Sequence, residues 1–343
     1  MKKTLLALLI ATTIPMTTPI AYATDNTTNT TAPMTVSVLN NIIMPDIEDA
    51  QQSITTLKKA IADNGIGQRK GGIDKAFADL VYAWKSVQAG YVVGELDSDM
   101  IDTPRLMDTF HEGNEKLDEQ IERALKSGDE PRVALFKNTF KSINALAILL
   151  YDDKELTETE RQYADYVLDT LNGHLTDIKT AYEKQADAFN KEADQSMSYV
   201  LNALIDSSYK LKEWRIGEAA GLTKKYEGKP DNRRQEYPRS GNSLTAAAGI
   251  IGVHSDMMGK RDYENLGSTA IKQGAEKEVT AIRELIAKAE KQLDTLRAES
   301  VTDFTDSRIK ALYETLGKLN DAYYQSLVKA LPVQAKILDA DGD

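Results

Sequence analysis

Residues 157–189 read TETERQYADYVLDTLNGHLTDIKTAYEKQADAF. Apolar side chains return every three or four positions, with Val167, Leu171 and Ile178 on one stripe and charges opposite. That is the period of an amphipathic α-helix, not of a strand. Thr157, ahead of Glu158-Thr159-Glu160, supplies a hydroxyl cap and a glutamate able to reach back to it. The same spacing recurs upstream at 36–62, 73–93, 104–125 and 131–151, and downstream at 193–219, 242–258, 270–296 and 302–331. Thr103 before Pro104, and Asp303 or Thr305 before the last segment, mark further helix starts. Pro45 predicts a kink inside the first segment, because proline breaks the helical ladder. No alternating pattern competes, so the chain is expected to be all-α.

The segments divide about evenly around 186–191. This predicts two similar up-and-down four-helix-bundle domains packed together, 36–189 and 190–335, with a tail at 336–343. A faint internal echo supports duplication: Ser37-Val38-Leu39-Asn40 is similar to Ser198-Tyr199-Val200-Leu201-Asn202. A chain of 343 residues, 41% hydrophobic, is long enough for two cores.

Lys2 and Lys3, an apolar run from Leu5 to about Ile20 and then Ala21-Tyr22-Ala23 spell a secretory signal, with cleavage expected after Ala23. The Thr/Asn-rich stretch 24–35 reads as a flexible leader. Export to the periplasm is the expectation, and losing Lys2 and Lys3 takes the net charge from −11 to −13. No later run approaches the roughly 18 apolar residues that a membrane span requires. Cysteine is absent, which excludes disulfides, thiolate metal sites and a lipid-acceptor thiol. The acidic balance argues against a nucleic-acid partner, since phosphate affinity rests on clustered cations.

One segment reverses that balance. Between Gly221 and Gly241 stand Lys224, Lys225, Lys229, Arg233, Arg234 and Arg239 against Glu227, Asp231 and Glu236. It joins a helix end, Arg215-Ile216-Gly217-Glu218, to a helix start carrying Ser240 and Ser243. A helix N-terminus with nearby hydroxyls and Arg239 suits an anion or carboxylate. Equally, Ser240 and Ser243 can simply cap the helix, with Arg215 and Glu236 forming an ion pair between the halves.

The three histidines, His111, His174 and His254, form no H-E-x-x-H or H-x-x-E pattern, so the usual zinc-peptidase helix is missing. Asp108, His111 and Glu115 fall at i, i+3 and i+7 on one face of the expected 104–125 helix, a spacing that could bring three ligand atoms together; the face lies opposite Leu106, Phe110, Leu117 and Ile121, and a solvated charged face is the preferred reading. His174 beside Asp177 reads as a boundary residue. His254 fits a structural or a functional role. Trp84 shares its stripe with Phe77, Leu80, Val81 and Val87, the pattern of core packing and also of an aromatic pocket wall.

Several of these pieces resemble the imelysin-like family of exported helical bacterial proteins. Phe77-Ala78-Asp79-Leu80-Val81-Tyr82-Ala83-Trp84 is similar to its Trp-bearing second helix, and 161–182 to the helix closing its first half. Arg215-Ile216-Gly217 followed by Glu236, Ser240, Ser243 and Leu244 resembles its R-I-G and E-x-x-x-S-x-x-S-L segments. The family's G-x-H-x-x-E motif is degenerate here: Ser142, Asn144 and Ala147 stand in its three places. Asn is a poor transition-metal ligand, and Ala147 is neither ligand nor base.

The resemblance implies two four-helix bundles with a polar site between them and a link to bacterial iron uptake. The expected function is therefore a non-catalytic binding protein. Its ligand would be an iron species or anionic small molecule, held by Trp84, Asn144, Arg215, Glu236, Ser240, Ser243 and His254. Envelope uptake proteins are the expected partners. A peptide hydrolase and a partner-binding scaffold using loop 221–241 are the alternatives.

Overall fold

A computed structural model describes residues 34–111, 116–152 and 155–333. The signal at 1–23, the leader up to residue 33, Glu115 and the tail at 336–343 lie outside the described residues. Met34 and Thr35, read from sequence as the end of the leader, already belong to the helical turn Met34–Val38 and are buried.

Helix α1, Met44–Asn64, follows directly on a π-helical stretch, Leu39–Ile43. Pro45 has no N–H to donate to the carbonyl four residues back, and a widened π turn directly precedes it. Then come α2 at Gly71–Ala89, α3 at Leu117–Ser127, α4 at Ile143–Tyr151 and α5 at Glu158–Lys191. The expected capping box is present on α5: Thr157 accepts from the Glu160 N–H, and the Thr157 N–H donates to Glu160. Further on lie α6 at Ala193–Lys210, α7 at Ser243–Met258, α8 at Glu276–Ala298 and α9 at Ser307–Asp321. Two short strands, β1 at Gly67–Gln68 and β2 at Glu155–Leu156, pair antiparallel with Gly67 opposite Leu156. The all-α expectation holds, and no described helix is long and apolar enough to cross a membrane.

Three expected helices are interrupted: in the 270–296 segment a short helix, Leu266–Lys272, ends ahead of Gly274 at φ 95°, and α8 starts at Glu276. The 104–125 segment is helical at Thr103–Met107, extends at Asp108 and is helical again at α3. Asp108 is therefore not on a solvated helix face; it is buried. The 131–151 segment divides into Pro131–Ala134, a 3-10 turn at Asn138–Lys141 and α4, whose N-cap Ser142 accepts from the Ala145 N–H.

Helix α7 organises the packing. Its sequence, SLTAAAGIIGVHSDMM, is apolar on most sides, and it lies against α2 and α8. Small residues allow the close approach: a Cβ built on Gly249 would sit 2.5 Å from the Tyr82 carbonyl oxygen of α2. Gly249→Ala should force the two helices apart. Overpacking of this kind costs about 1–3 kcal/mol, to be read as a lower urea midpoint with an unchanged slope. An unchanged midpoint would mean that α2 and α7 are not in backbone contact.

Candidate functional site

The extended backbone at Asp108 has a long-range cause. Lys85, on α2, is fully buried, and its Nζ lies 2.5 Å from Asp108 Oδ2 and 2.5 Å from Glu236 Oε1. It donates to Asp108 and, at 2.7 Å, to Gln88 Oε1, while its contact with Glu236 is an ion pair without hydrogen-bond alignment. Arg215 Nε donates to Glu236 Oε2 at 2.9 Å, and its Nη2 reaches Gln88 at 3.2 Å. Tyr237 OH donates to Asp108 Oδ2 at 2.9 Å. Two cations and two carboxylates thus neutralise one another away from water, which is the condition for burying any of them.

The electrostatics follow. Burial alone would raise the Asp108 carboxyl, but the charge and hydrogen bond of Lys85, the Phe110 N–H and Arg215 outweigh it and hold it below the ordinary range. Burial opposes ionisation of Arg215, yet Glu236 and Asp108 carry it above its usual value. Burial, and then the Asp108 charge, push the Tyr237 hydroxyl well up, so it keeps its proton and donates.

This cluster backs one wall of a cavity. The space, about 430 Å³, is lined by Thr109, Phe110, His111 and Leu117, by Thr139 and Asn144, and by Glu218, Arg233, Arg234 and Gln235. The wall 109–111 begins at Asp108, whose Oδ1 accepts from the Phe110 N–H at 2.9 Å. Arg215 lies over the Phe110 ring, 5.7 Å from its centroid. Asn144 Oδ1 accepts from the Thr109 N–H at 2.8 Å and from the Thr109 hydroxyl at 3.2 Å. Its oxygen is committed to the wall, and the amide nitrogen is the donor left for the cavity.

At the same wall His111 takes a left-handed backbone, φ 65°, uncommon for a residue other than glycine. Its ring stacks on Trp214 with centroids 4.6 Å apart and planes 9° from parallel, and Nε2 donates to Glu218 Oε2 at 3.1 Å. Trp214 and Arg215 belong to a π-helical stretch, Leu211–Gly217, a local widening often found at functional sites.

The basic loop supplies Arg233, Arg234 and Gln235 to the lining. Gly221, at φ 67°, packs so closely under Lys229 and Pro230 that a Cβ would meet the Pro230 nitrogen at 2.6 Å. Arg234 donates to the Lys229 carbonyl at 2.7 Å and stacks over Tyr226. Arg233 pairs with Asp231 at 2.7 Å, its side chain 90% exposed.

The sequence-named residues take different places. Asn144 lines the cavity, and Arg215 and Glu236 belong to the charge cluster behind it; they form the expected ion pair, but both lie in the second half of the sequence and the pair does not join the halves. Ser243 accepts from the Tyr237 N–H at 3.3 Å. Ser240 Oγ is buried without a partner, and neither serine is among the cavity-lining residues. Arg239 pairs with Asp118 and Asp152. Trp84 is fully buried in the core, its indole nitrogen unpartnered. His254 is fully buried on α7, with Nε2 3.0 Å from Ser207 Oγ and Nδ1 3.0 Å from Tyr323 OH. His174 is half-buried on α5. Sequence reasoning missed Lys85, Gln88, Tyr237 and Glu218, and it misplaced Asp108. A lysine one residue from Trp84, within the buried arc of α2, was the available signal.

A family model described as Peptidase_M75, Imelysin, matches residues 43–328. Among solved structures, an imelysin-like protein from Psychrobacter arcticum 273-4 aligns with TM-score 0.71 at 14% identity, over 90% of this chain and 99% of that one. A putative iron-regulated protein A precursor from Parabacteroides distasonis ATCC 8503 aligns with TM-score 0.64 at 14% identity, over 87% and 94% respectively. A search of curated proteins found no match.

Proposed function

Because the chain belongs to the imelysin family, we propose that it is an exported, periplasmic, non-catalytic binding protein of bacterial iron acquisition. Its cavity takes an iron-bearing or anionic small ligand. The observation that carries this reading is the cavity itself. It is about 430 Å³, within the range of small-molecule sites, and its walls come from both halves of the sequence. Arg233 and Arg234 bring positive charge to it on a chain of net charge −11. Support for iron comes from a protein of the same fold being described as iron-regulated.

In this reading Asn144 contacts the ligand, and Arg215 and Glu236 hold the wall it rests on. Two four-helix bundles meeting at the cavity, cleavage after Ala23 and capture by envelope uptake proteins complete the proposal. No peptidase step is assigned, because Asn144 and Ala147 occupy the places where the motif has its histidine and acid.

Elemental analysis and thermal-shift titration of the chain from Thr24 onward test the proposal, with iron(II), iron(III), zinc, copper, haem and ferric citrate as probes. A ligand at 100 times its Kd stabilises the native state by about 2.7 kcal/mol. A selective, saturable rise in Tm with an iron species is expected. No rise with any probe would overturn the proposal and favour a partner-binding scaffold.

A further inference from the structure

Two donor side chains converge at the cavity from distant parts of the chain: His111, beyond the broken helix, and Glu218, after the π-helical stretch. Neither belongs to the degenerate 142–147 motif. Their donor atoms, Nε2 and Oε2, are 3.1 Å apart. Two ligands bound at right angles to one first-row ion, each at about 2.1 Å, lie roughly 3.0 Å apart. The pair is thus already at the spacing of neighbouring ligands on one ion.

The ring is also held. His111 keeps a backbone conformation that costs a side-chain-bearing residue energy, at φ 65°, and such strain collects at functional sites. Stacking on Trp214 fixes the ring plane. The side chains are 27% and 15% exposed, so an ion can reach them from the cavity. In the same lining, Arg233 and Arg234 bring positive charge, with Arg234 Nη1 donating to the Glu218 carbonyl at 3.5 Å.

We propose that His111 and Glu218 form a two-residue docking point for the metal of a carboxylate chelate. The ion is ligated by Nε2 and a Glu218 oxygen, and the chelate's carboxylates face Arg233 and Arg234. On binding, the ring proton shifts from Nε2 to Nδ1 through water, and the bond between ring and carboxylate is replaced by two bonds to the ion. This rests on the cavity being the ligand site, as proposed above.

Cobalt(II), a paramagnetic probe, tests the pair through Trp214, which touches the His111 ring. The chain has two tryptophans, so Trp84→Phe leaves Trp214 as the sole reporter. Saturable quenching by one equivalent is expected, weakened at least tenfold by His111→Ala and by Glu218→Gln separately. Cobalt(II) absorbance in the visible range, measured on the chain with both tryptophans, gives the same reading should Trp84→Phe disturb folding. Absence of saturable binding by both readouts, or binding unchanged in both variants, would overturn the docking point. Ferric citrate and citrate alone, followed by thermal shift in the same variants, separate the two claims. A ferric citrate shift indifferent to both substitutions overturns the docking point and spares the cavity reading, whereas no ferric citrate shift together with no cobalt(II) binding overturns both.

Discussion

Replacing Lys85 by methionine should cost the protein about 3–5 kcal/mol, the usual penalty for leaving a buried charge without its partner. Methionine fits the space, so the loss is electrostatic. Without the ammonium, Asp108 and Glu236 are two buried carboxylates sharing one cation, Arg215. Asp108 then loses its nearest counter-charge, and with it the reason for the extended backbone that starts wall 109–111. Urea unfolding should show a lower midpoint for Lys85→Met. Part of that loss should return in Lys85→Met combined with Asp108→Asn, because contacting residues are energetically coupled. A loss under about 1 kcal/mol, or strict additivity in the double variant, would show that the cluster is not a coupled unit.

The second large effect is a loss of stability in acid, centred on His254. Burial alone pulls its imidazole down from 6.5 to about 3. Its hydrogen bonds fit the neutral ring: with the Ser207 proton on the Leu204 carbonyl, Nε2 donates to Ser207 and Nδ1 accepts from Tyr323. The sign follows from linkage. Above pH 6.5 the ring is neutral folded or unfolded, and the full stability is present. As pH falls below 6.5 the unfolded chain takes up a proton that the folded chain refuses until about pH 3. Stability is lost across that window, up to roughly 4–5 kcal/mol if the whole interval is traversed. Asp108, held low by Lys85, adds a loss of the same sign at the acid end. Comparison with His254→Gln isolates the histidine: the variant should lose less stability between pH 6.5 and 4. Parallel profiles for the two proteins would refute the assignment.

Much of the fold is legible because it is local. The Thr157 capping box and the apolar face of α5 follow from spacing and side-chain chemistry within a turn or two. The break after Met107 is not local. Its cause is Lys85, 23 residues back, and Tyr237, 129 residues ahead, and an amphipathic pattern over 104–125 carries no trace of either. The same contrast governs the site. Arg215 and Glu236 stand out as charges in short motifs, and their pairing is readable. The cavity is not, since Thr109, Asn144, Glu218 and Arg234 come together only through packing. His111 looked like part of a solvated helix face because the helix was read as continuous; once it ends, His111 turns onto Trp214.

Calorimetric titration of ferric citrate into the natural chain and into Thr139→Trp tests the central claim most directly. Thr139 lines the cavity with Asn144, whereas Lys85, Asp108, Arg215 and Glu236 are not among the lining residues, so an indole there is aimed at the cavity and not at the buried charges. Saturable binding to the natural chain, weakened at least tenfold in Thr139→Trp, is the expected result. Equal binding to both, or none to the natural chain, would contradict a ligand site in this cavity.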